Sequence, residues 1–444
     1  MILILLFSLF VCGVVTTLAG FIGLLYPWVS VLFILPLFLV LSSLFISLRK
    51  ISRCAKNEKI LVILLSGIWL IHFCGVLVPE TGFDALWYHL PVAQAFIQAH
   101  RFYSIPELYQ SLNPYFSDSF FALGFQSAGV FGSKCVAYMF GVILVLLTYA
   151  LSRLFMNRAW ALATVIIISS FQVVAWQASS FYVDIAHAVW QIGALYVLIR
   201  YKEKWWSSVF TGLFFGASLA TKVFSLFLLP LFFFVRMQKK ALFFISALSV
   251  VAPFYVFTYL HSGNPLYSLG IHVGKLNEIG GSPSLLTYLF ERTLQFPSSL
   301  TQLTLFSRDY TSLIFFVFFP LFFLSLNQLR KNPDLKLLLF FSGIQWLFWW
   351  YIPPLSTRYA LSGFITLAIL SIWTLENYVK QKPEQKNSIV LALGIAVFFN
   401  LLPRLIPLRR QGIYIFRHQS NTEYIRQFYD GSIDQHLNKW YLHK

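Results

Sequence analysis

Thirteen apolar segments divide this chain, at roughly 1–25, 31–48, 60–78, 135–152, 159–178, 181–199, 207–221, 223–235, 241–260, 312–327, 337–352, 359–379 and 388–403. A polypeptide with this pattern cannot fold in water. It carries 11% charged residues and 58% hydrophobic ones, whereas a soluble domain has about 25% charged, so there is too little polar surface to cover it. Lipid must solvate much of the chain. In lipid every backbone N–H and C=O has to be satisfied within the protein, and separate apolar segments do this as helices. The pattern therefore predicts an all-α polytopic membrane protein with about 13 transmembrane segments. Several runs are shorter than the roughly 20 residues of a straight span, so tilted or partial helices are expected.

Orientation follows from charge. The net charge of +17 is not spread along a groove, as a nucleic-acid binder would have it. It falls in short clusters between apolar runs: Arg49/Lys50/Arg53/Lys56/Lys59, Arg153/Arg158, Arg200/Lys202/Lys204, Arg236/Lys239/Lys240, Arg330/Lys331/Lys336 and Lys380/Lys382/Lys386. If all thirteen segments cross, every cluster lies on one side, and the positive-inside rule makes that side the cytoplasm. The N-terminus is then cytoplasmic, and Met1 to Leu25 reads as a retained first span rather than a signal peptide. The other face holds the loops 79–134 and 261–311 and the tail after Pro403. The organisation expected is an N-terminal hairpin with its basic loop (1–59), a transmembrane catalytic domain (60–403) and an outer tail (404–444). Residues 205–235 read as a short hairpin with Lys222 in its turn, because one continuous helix there would move the later basic clusters outside. The four cysteines have no metal-ligand spacing and suggest no disulfide framework.

Few ionisable residues lie near the outer face. Asp84 follows the third apolar segment and precedes a stretch in which Leu86, Leu90, Ala93 and Ile97 share a helical face, so an interfacial helix is expected with Asp84 at its start. Asp84 is either a helix cap or a reactive carboxylate. Glu80 lies four residues earlier, and Tyr88 and His89 follow in the same segment. Asp184 opens the sixth apolar segment, with His187 one turn on, either as a structural pair or as part of a site. Lys222, and Arg358 beside Tyr359, are cations on the same outer side, and both residue types suit a phosphate. No histidine and cysteine arrangement suggests a metal. Asp84 with Asp184 could hold a divalent cation, and no other cofactor is implied.

Taken in order, four places resemble the GT-C superfamily of polyprenyl-phosphate-sugar glycosyltransferases, of the protein O-mannosyltransferase and aminoarabinose-transferase types. They are the acidic outer loop with Asp84, the span opened by Asp184 and ending Ala194-Leu195-Tyr196, the glycine-rich run Gly212 to Lys222 ending in Thr221-Lys222, and Gly263-Asn264-Pro265-Leu266-Tyr267 with the later Arg358-Tyr359. The resemblance covers residues 60–380. It implies that Asp84 is the catalytic base and that Lys222 and Arg358 hold the lipid phosphate, with Glu80, Tyr88, His89, Asp184, His187 and Tyr359 in support. The chain departs from the pattern in having no second acid adjacent to Asp84 and in placing two spans before the one that leads into the catalytic loop.

The activity so implied is transfer of a sugar from a polyprenyl-phosphate donor to a hydroxyl of a glycan, lipid or protein acceptor. It would take place on the outer side of a cell membrane of bacterial type, without nucleic acid. One carboxylate and direct displacement imply inversion, since retention needs two carboxyls about 5 Å apart. Two other readings share the many spans: a polymerase or ligase acting on lipid-linked glycans, and a lipid or sugar transporter. The first would lean on an arginine-rich outer loop, whereas 261–311 offers Lys275, Arg292 and Arg308. The second would need a polar path across the membrane, whereas the intramembrane acids gather at one face.

Overall fold

A computed structural model describes residues 2–51, 55–267, 285–295, 311–315, 326–351 and 356–428. Among these residues the secondary structure is helical, with no strand. The first helices are α1 (Ile2–Phe21), α2 (Ile34–Ile51), α3 (Lys56–Val76), α4 (Leu90–Ala99) and α5 (Asp118–Ser152). They are followed by α6 (Arg158–Ser170), α7 (Gln172–Gln177), α8 (Asp184–Arg200), α9 (Trp205–Leu219), α10 (Leu229–Phe234) and α11 (Lys240–Ser262). After Leu285–Leu294, here α12, come α13 (Pro333–Tyr351), α14 (Leu361–Gln381), α15 (Lys386–Leu401), α16 (Leu405–Arg417) and α17 (Asn421–Arg426).

Among the described residues, six helical stretches are long and apolar enough to cross a membrane: Ile2–Phe21, Lys56–Val76, Asp118–Ser152, Lys240–Ser262, Thr357–Gln381 and Pro383–Arg417. Three shorter apolar stretches accompany them, so the thirteen expected spans are not all full-length helices here. The expected segment 159–178 breaks at Phe171, whose extended backbone separates α6 from α7. The segment 223–235 is a tight 3-10 turn followed by the six-residue α10. Most of the expected segment 312–327, most of the loop 261–311 and the tail beyond 428 lie outside the described residues.

The core is built on α8, which is buried from Asp184 to Ile199. Helices α5 and α9 pack on it, and α14 lies against both α8 and α6. The outer helices α1, α3, α11 and α15 turn residues such as Ile4, Leu18, Ile63, Leu70, Ile245, Leu260 and Leu391 outward, as lipid contact requires. Helices α9 and α11 approach closely because of Gly212 and Gly216. A Cβ at these positions would sit 2.3 Å from the Phe243 carbonyl oxygen and 2.6 Å from that of Ala247. This is the small-residue packing of membrane helices, where bringing backbones together replaces the hydrophobic drive that lipid removes.

Polar contacts mark the two ends of the bundle. At one end, Arg158 meets Glu58 at 3.6 Å and Lys202 meets Asp334 at 2.9 Å. Glu376 takes Asn157 at 2.8 Å and Lys380 at 3.1 Å there as well. Members of three of the expected cytoplasmic clusters, Arg158, Lys202 and Lys380, thus lie at this end. The opposite end holds the loop after α3, the start of α8 and the turns that carry Lys222 and Arg358.

Two details of the long outer loop differ from expectation. Helix starts at Asp118 rather than near 135, and continues to Ser152 through a kink at Ala128 and Gly129, where Gly129 has φ 60°. The apolar face of α4 also behaves differently: Leu86, Leu90 and Ala93 are buried against protein, chiefly α5, rather than turned to lipid.

Candidate active site

The segment between α3 and α4 is shaped by Glu80. This carboxylate is buried and accepts four hydrogen bonds: from the backbone N–H groups of Thr81 (2.9 Å), Gly82 (2.7 Å) and Phe181 (2.8 Å), and from the Ser180 hydroxyl (2.6 Å). It therefore pins its own segment to the loop before α8. Gly82 fits only because it has no side chain, since a Cβ there would lie 2.4 Å from the Tyr182 ring. The Asp84 N–H then donates to the Tyr182 hydroxyl at 3.1 Å.

Past Asp84 the chain makes one wide helical turn, Ala85–His89, closed by the Leu90 N–H on the Ala85 carbonyl. Such π-turns are frequent at functional sites. Asp84 makes no side-chain cap bond. Its carboxylate instead lies 2.7 Å from Arg358 Nη2. Arg358 also donates to the Tyr359 hydroxyl at 2.9 Å, and the rings of Tyr359, Tyr182 and Trp176 surround its guanidinium at 4.9, 5.1 and 5.8 Å. Tyr88 is half-buried beside Asp84, and burial, reinforced by that acid, raises its phenol well above the ordinary range. It is thus a hydrogen-bond donor.

Lys222 is carried to the same place from α9. That helix stops at Leu219, and the next residues are tied to the start of α5: the Phe116 N–H donates to the Ala220 carbonyl at 2.9 Å, and the Ser117 and Thr221 hydroxyls lie 2.7 Å apart. Lys222 then takes an extended backbone and pairs with Asp184. Gln177 donates to the other Asp184 oxygen at 2.8 Å. The Lys222 ammonium also lies 4.6 Å from the Tyr359 ring centre. The turn expected at Lys222 is therefore present, with the lysine facing protein.

Asp84, Tyr88, Asp184, Lys222, Arg358 and Tyr359 thus form one cluster, with Glu80 as its anchor. The two histidines stand apart. His187 does not pair with Asp184: its Nε2 lies 2.7 Å from the Ser225 hydroxyl, in a buried network with Gln191, Gln345 and Ser362. His89 turns its Nδ1 to Asp118 at 2.6 Å. Among the described residues no group of three or more His, Cys, Asp or Glu could hold a metal ion, and Asp84 and Asp184 are each paired with a cation.

No protein-family profile matches the sequence, and neither does any curated protein. Solved structures do match. Superposition on the crystal structure of the Archaeoglobus fulgidus oligosaccharyltransferase with Zn and sulfate gives a TM-score of 0.53 at 15% identity. It covers 83% of this chain and 57% of that one, so the chain spans little more than half its length. ArnT from Cupriavidus metallidurans bound to undecaprenyl phosphate gives 0.53 at 13% identity, over 84% of this chain and 75% of ArnT. Its apo form gives 0.54 at 13%, over 83% and 68%. The fold is that of the GT-C glycosyltransferases.

Within this GT-C fold, Trp176, Gln177 and Tyr182 touch the cluster and carried no reading from sequence, nor did Asp118, the partner of His89. Gln177 and Tyr182 flank Asp184 closely. A polar or amphipathic residue beside an intramembrane acid is the signal that could have found them. Asp118 lay inside what read as loop.

Proposed function

We propose that the protein is a membrane glycosyltransferase that moves a sugar from a polyprenyl-phosphate donor to an acceptor hydroxyl on the extracytoplasmic side, with inversion. The observation that carries this reading is the convergence of two acids and two cations, from four separate stretches of chain, at one end of the bundle. The undecaprenyl phosphate bound by ArnT supports the choice of donor.

In this centre each acid holds a cation. The donor phosphate offers Arg358 and Lys222 better partners, because it brings several acceptor oxygens to a fork and a point charge. Tyr88 and Tyr359 supply neutral donors at its edge. Drawing Arg358 toward the phosphate leaves Asp84 without its guanidinium and able to accept a proton. Asp184 is 1% exposed and Asp84 17%, so of the two acids Asp84 is the one that reaches the open side. The acceptor hydroxyl gives its proton to Asp84 as its oxygen bonds the anomeric carbon. The carbon–phosphate oxygen bond breaks, and its electron pair leaves with the lipid phosphate, whose growing charge the two cations stabilise.

The test is Asp84→Asn, which keeps the size and removes the base. The expected result is an inserted protein that retains donor lipid and transfers sugar about 10²- to 10⁴-fold more slowly. Transfer near the wild-type rate would reject Asp84 as the base.

A further inference from the structure

Lys222 and Arg358 come from turns far apart in the chain, so their spacing has to be set by whatever joins those turns. The turn after Lys222 is closed by the Ser225 N–H on the Lys222 carbonyl at 3.2 Å. Arg358 sits in a second turn, Thr357–Ala360, which runs straight into α14, and Ser362 lies one helical turn beyond it. Both turns meet α8. On that helix Asp184, His187 and Gln191 fall at i, i+3 and i+7 and so share one face.

Gln191 joins the two turns. Its amide N–H donates to the Ser225 hydroxyl oxygen at 2.8 Å, and the same hydroxyl faces His187 Nε2 at 2.7 Å. Its carbonyl oxygen accepts from the Ser362 hydroxyl and, at 2.9 Å, from Gln345 of α13. Gln345 also donates to Ser362 at 3.1 Å. All five side chains are buried, and none of them has a buried polar atom without a partner. A satisfied buried network of this kind specifies one arrangement of the elements it connects. Apolar contacts join the same parts: the Phe224 ring lies 5.3 Å from that of Tyr359, and Phe227 stacks on Phe348 at 3.8 Å. Those contacts are non-directional, whereas hydrogen bonds fix both length and angle.

We infer that Gln191, with His187, Ser225, Gln345 and Ser362, is a positioning device that sets the spacing of Lys222 and Arg358 for a phosphate. This rests on the donor site proposed above. The five side chains act through the two turns rather than by touching the donor. A displacement of about 1 Å costs about 10²-fold at a reacting centre, so a bridge of fixed length between the cations has a use that packing alone does not supply.

Binding of undecaprenyl phosphate to the purified full-length protein in detergent, measured beside thermal unfolding, tests this. Gln191→Leu roughly keeps the volume and cuts the bridge. The expected result is a folded protein whose affinity for the probe falls about tenfold, because a displaced cation loses a charge-assisted bond. Ser225→Ala and Ser362→Ala are each expected to weaken binding less, and to add nothing to Gln191→Leu, where the bridge is already cut. Wild-type affinity in Gln191→Leu would overturn the inference whatever its melting temperature, since a purely structural network moves stability alone. Fully additive losses would overturn it as well. Arg358→Lys reports on the donor site itself. Weakened binding there, with Gln191→Leu unchanged, rejects the network and keeps the site; unchanged binding in Arg358→Lys rejects the phosphate reading and this inference with it. If Gln191→Leu does not fold, Ser362→Ala leaves Gln191 its bond to Gln345 and is expected to bind about threefold more weakly; undiminished binding would overturn the inference.

Discussion

Lys222 and Asp184 illustrate how a buried pair behaves. Their side chains are 16% and 1% exposed, so neither can fall back on water if the other is removed. Lys222→Met or Asp184→Leu alone is expected to cost about 3–5 kcal/mol, because each strands a charge. The double variant should recover much of that loss. Thermal unfolding of the four proteins measures the cycle, and additive losses would show that the two do not depend on each other. Arg358→Lys gives a different expectation: the fold survives, while donor affinity falls as a fork becomes a point charge, which a donor titration reads as a raised KM. At this scale the residue types were legible and the partners were not. An acid at the mouth of a bundle announces itself by its rarity. That Asp84 would meet Arg358 depends on how two distant turns pack, and no local pattern records it.

Glycine spacing is where an element becomes readable. Gly212 and Gly216 belong to the glycine-rich run of the sequence, and their physical reason is the contact with α11. Gly216→Leu is expected to push against the Ala247 backbone and lower the yield of folded protein sharply, since overpacking a close contact costs about 1–3 kcal/mol or more. Gly343→Ala, where a Cβ meets nothing within 4 Å, should be silent or slightly stabilising by up to about 1 kcal/mol. Detergent-solubilised yield and melting temperature compare the two, and equal behaviour would count against the packing argument. Other elements were less legible. The first turns of α5 contain Ser119, Gly124, Gln126, Ser127 and Gly129, which read as loop because these small and polar residues confine the apolar run to residues 120–125. They form helix because Phe120, Phe121, Ala122 and Leu123 are buried in the protein core. Tertiary packing decided that boundary.

For the whole molecule, the sidedness of the basic clusters was the firmest inference and is directly testable. In a background without native cysteines, Lys382→Cys should react only with reagent that reaches the cytoplasm. Glu107→Cys, in the loop between α4 and α5, should react from outside. Reaction of Glu107→Cys from the cytoplasmic side would invert the topology. Both positions are exposed, unlike Ser117, which is fully buried and bonded to Trp190 and Thr221. Hydropathy found where apolar chain lies, which is why described helices such as α1, α3 and α11 overlap expected segments. It could not tell a full crossing from a broken one, because the extended backbone at Phe171 and the 3-10 turn before α10 interrupt helix inside apolar chain.

The resting centre contains two acids and two cations, so its formal charges cancel. A sugar linked through a phosphodiester brings one negative charge into that balance. The lipid monoester left after transfer carries about −1.5 to −2 at pH 7, with its second ionisation near pH 6. In the proposed reaction the spent lipid therefore presents more charge to Arg358 and Lys222 than the donor does, and more so as pH rises. Product inhibition by polyprenyl phosphate is expected to strengthen between about pH 6 and 8, which initial rates with added product would measure. The cations that draw the phosphate away from the sugar would thus also slow its departure.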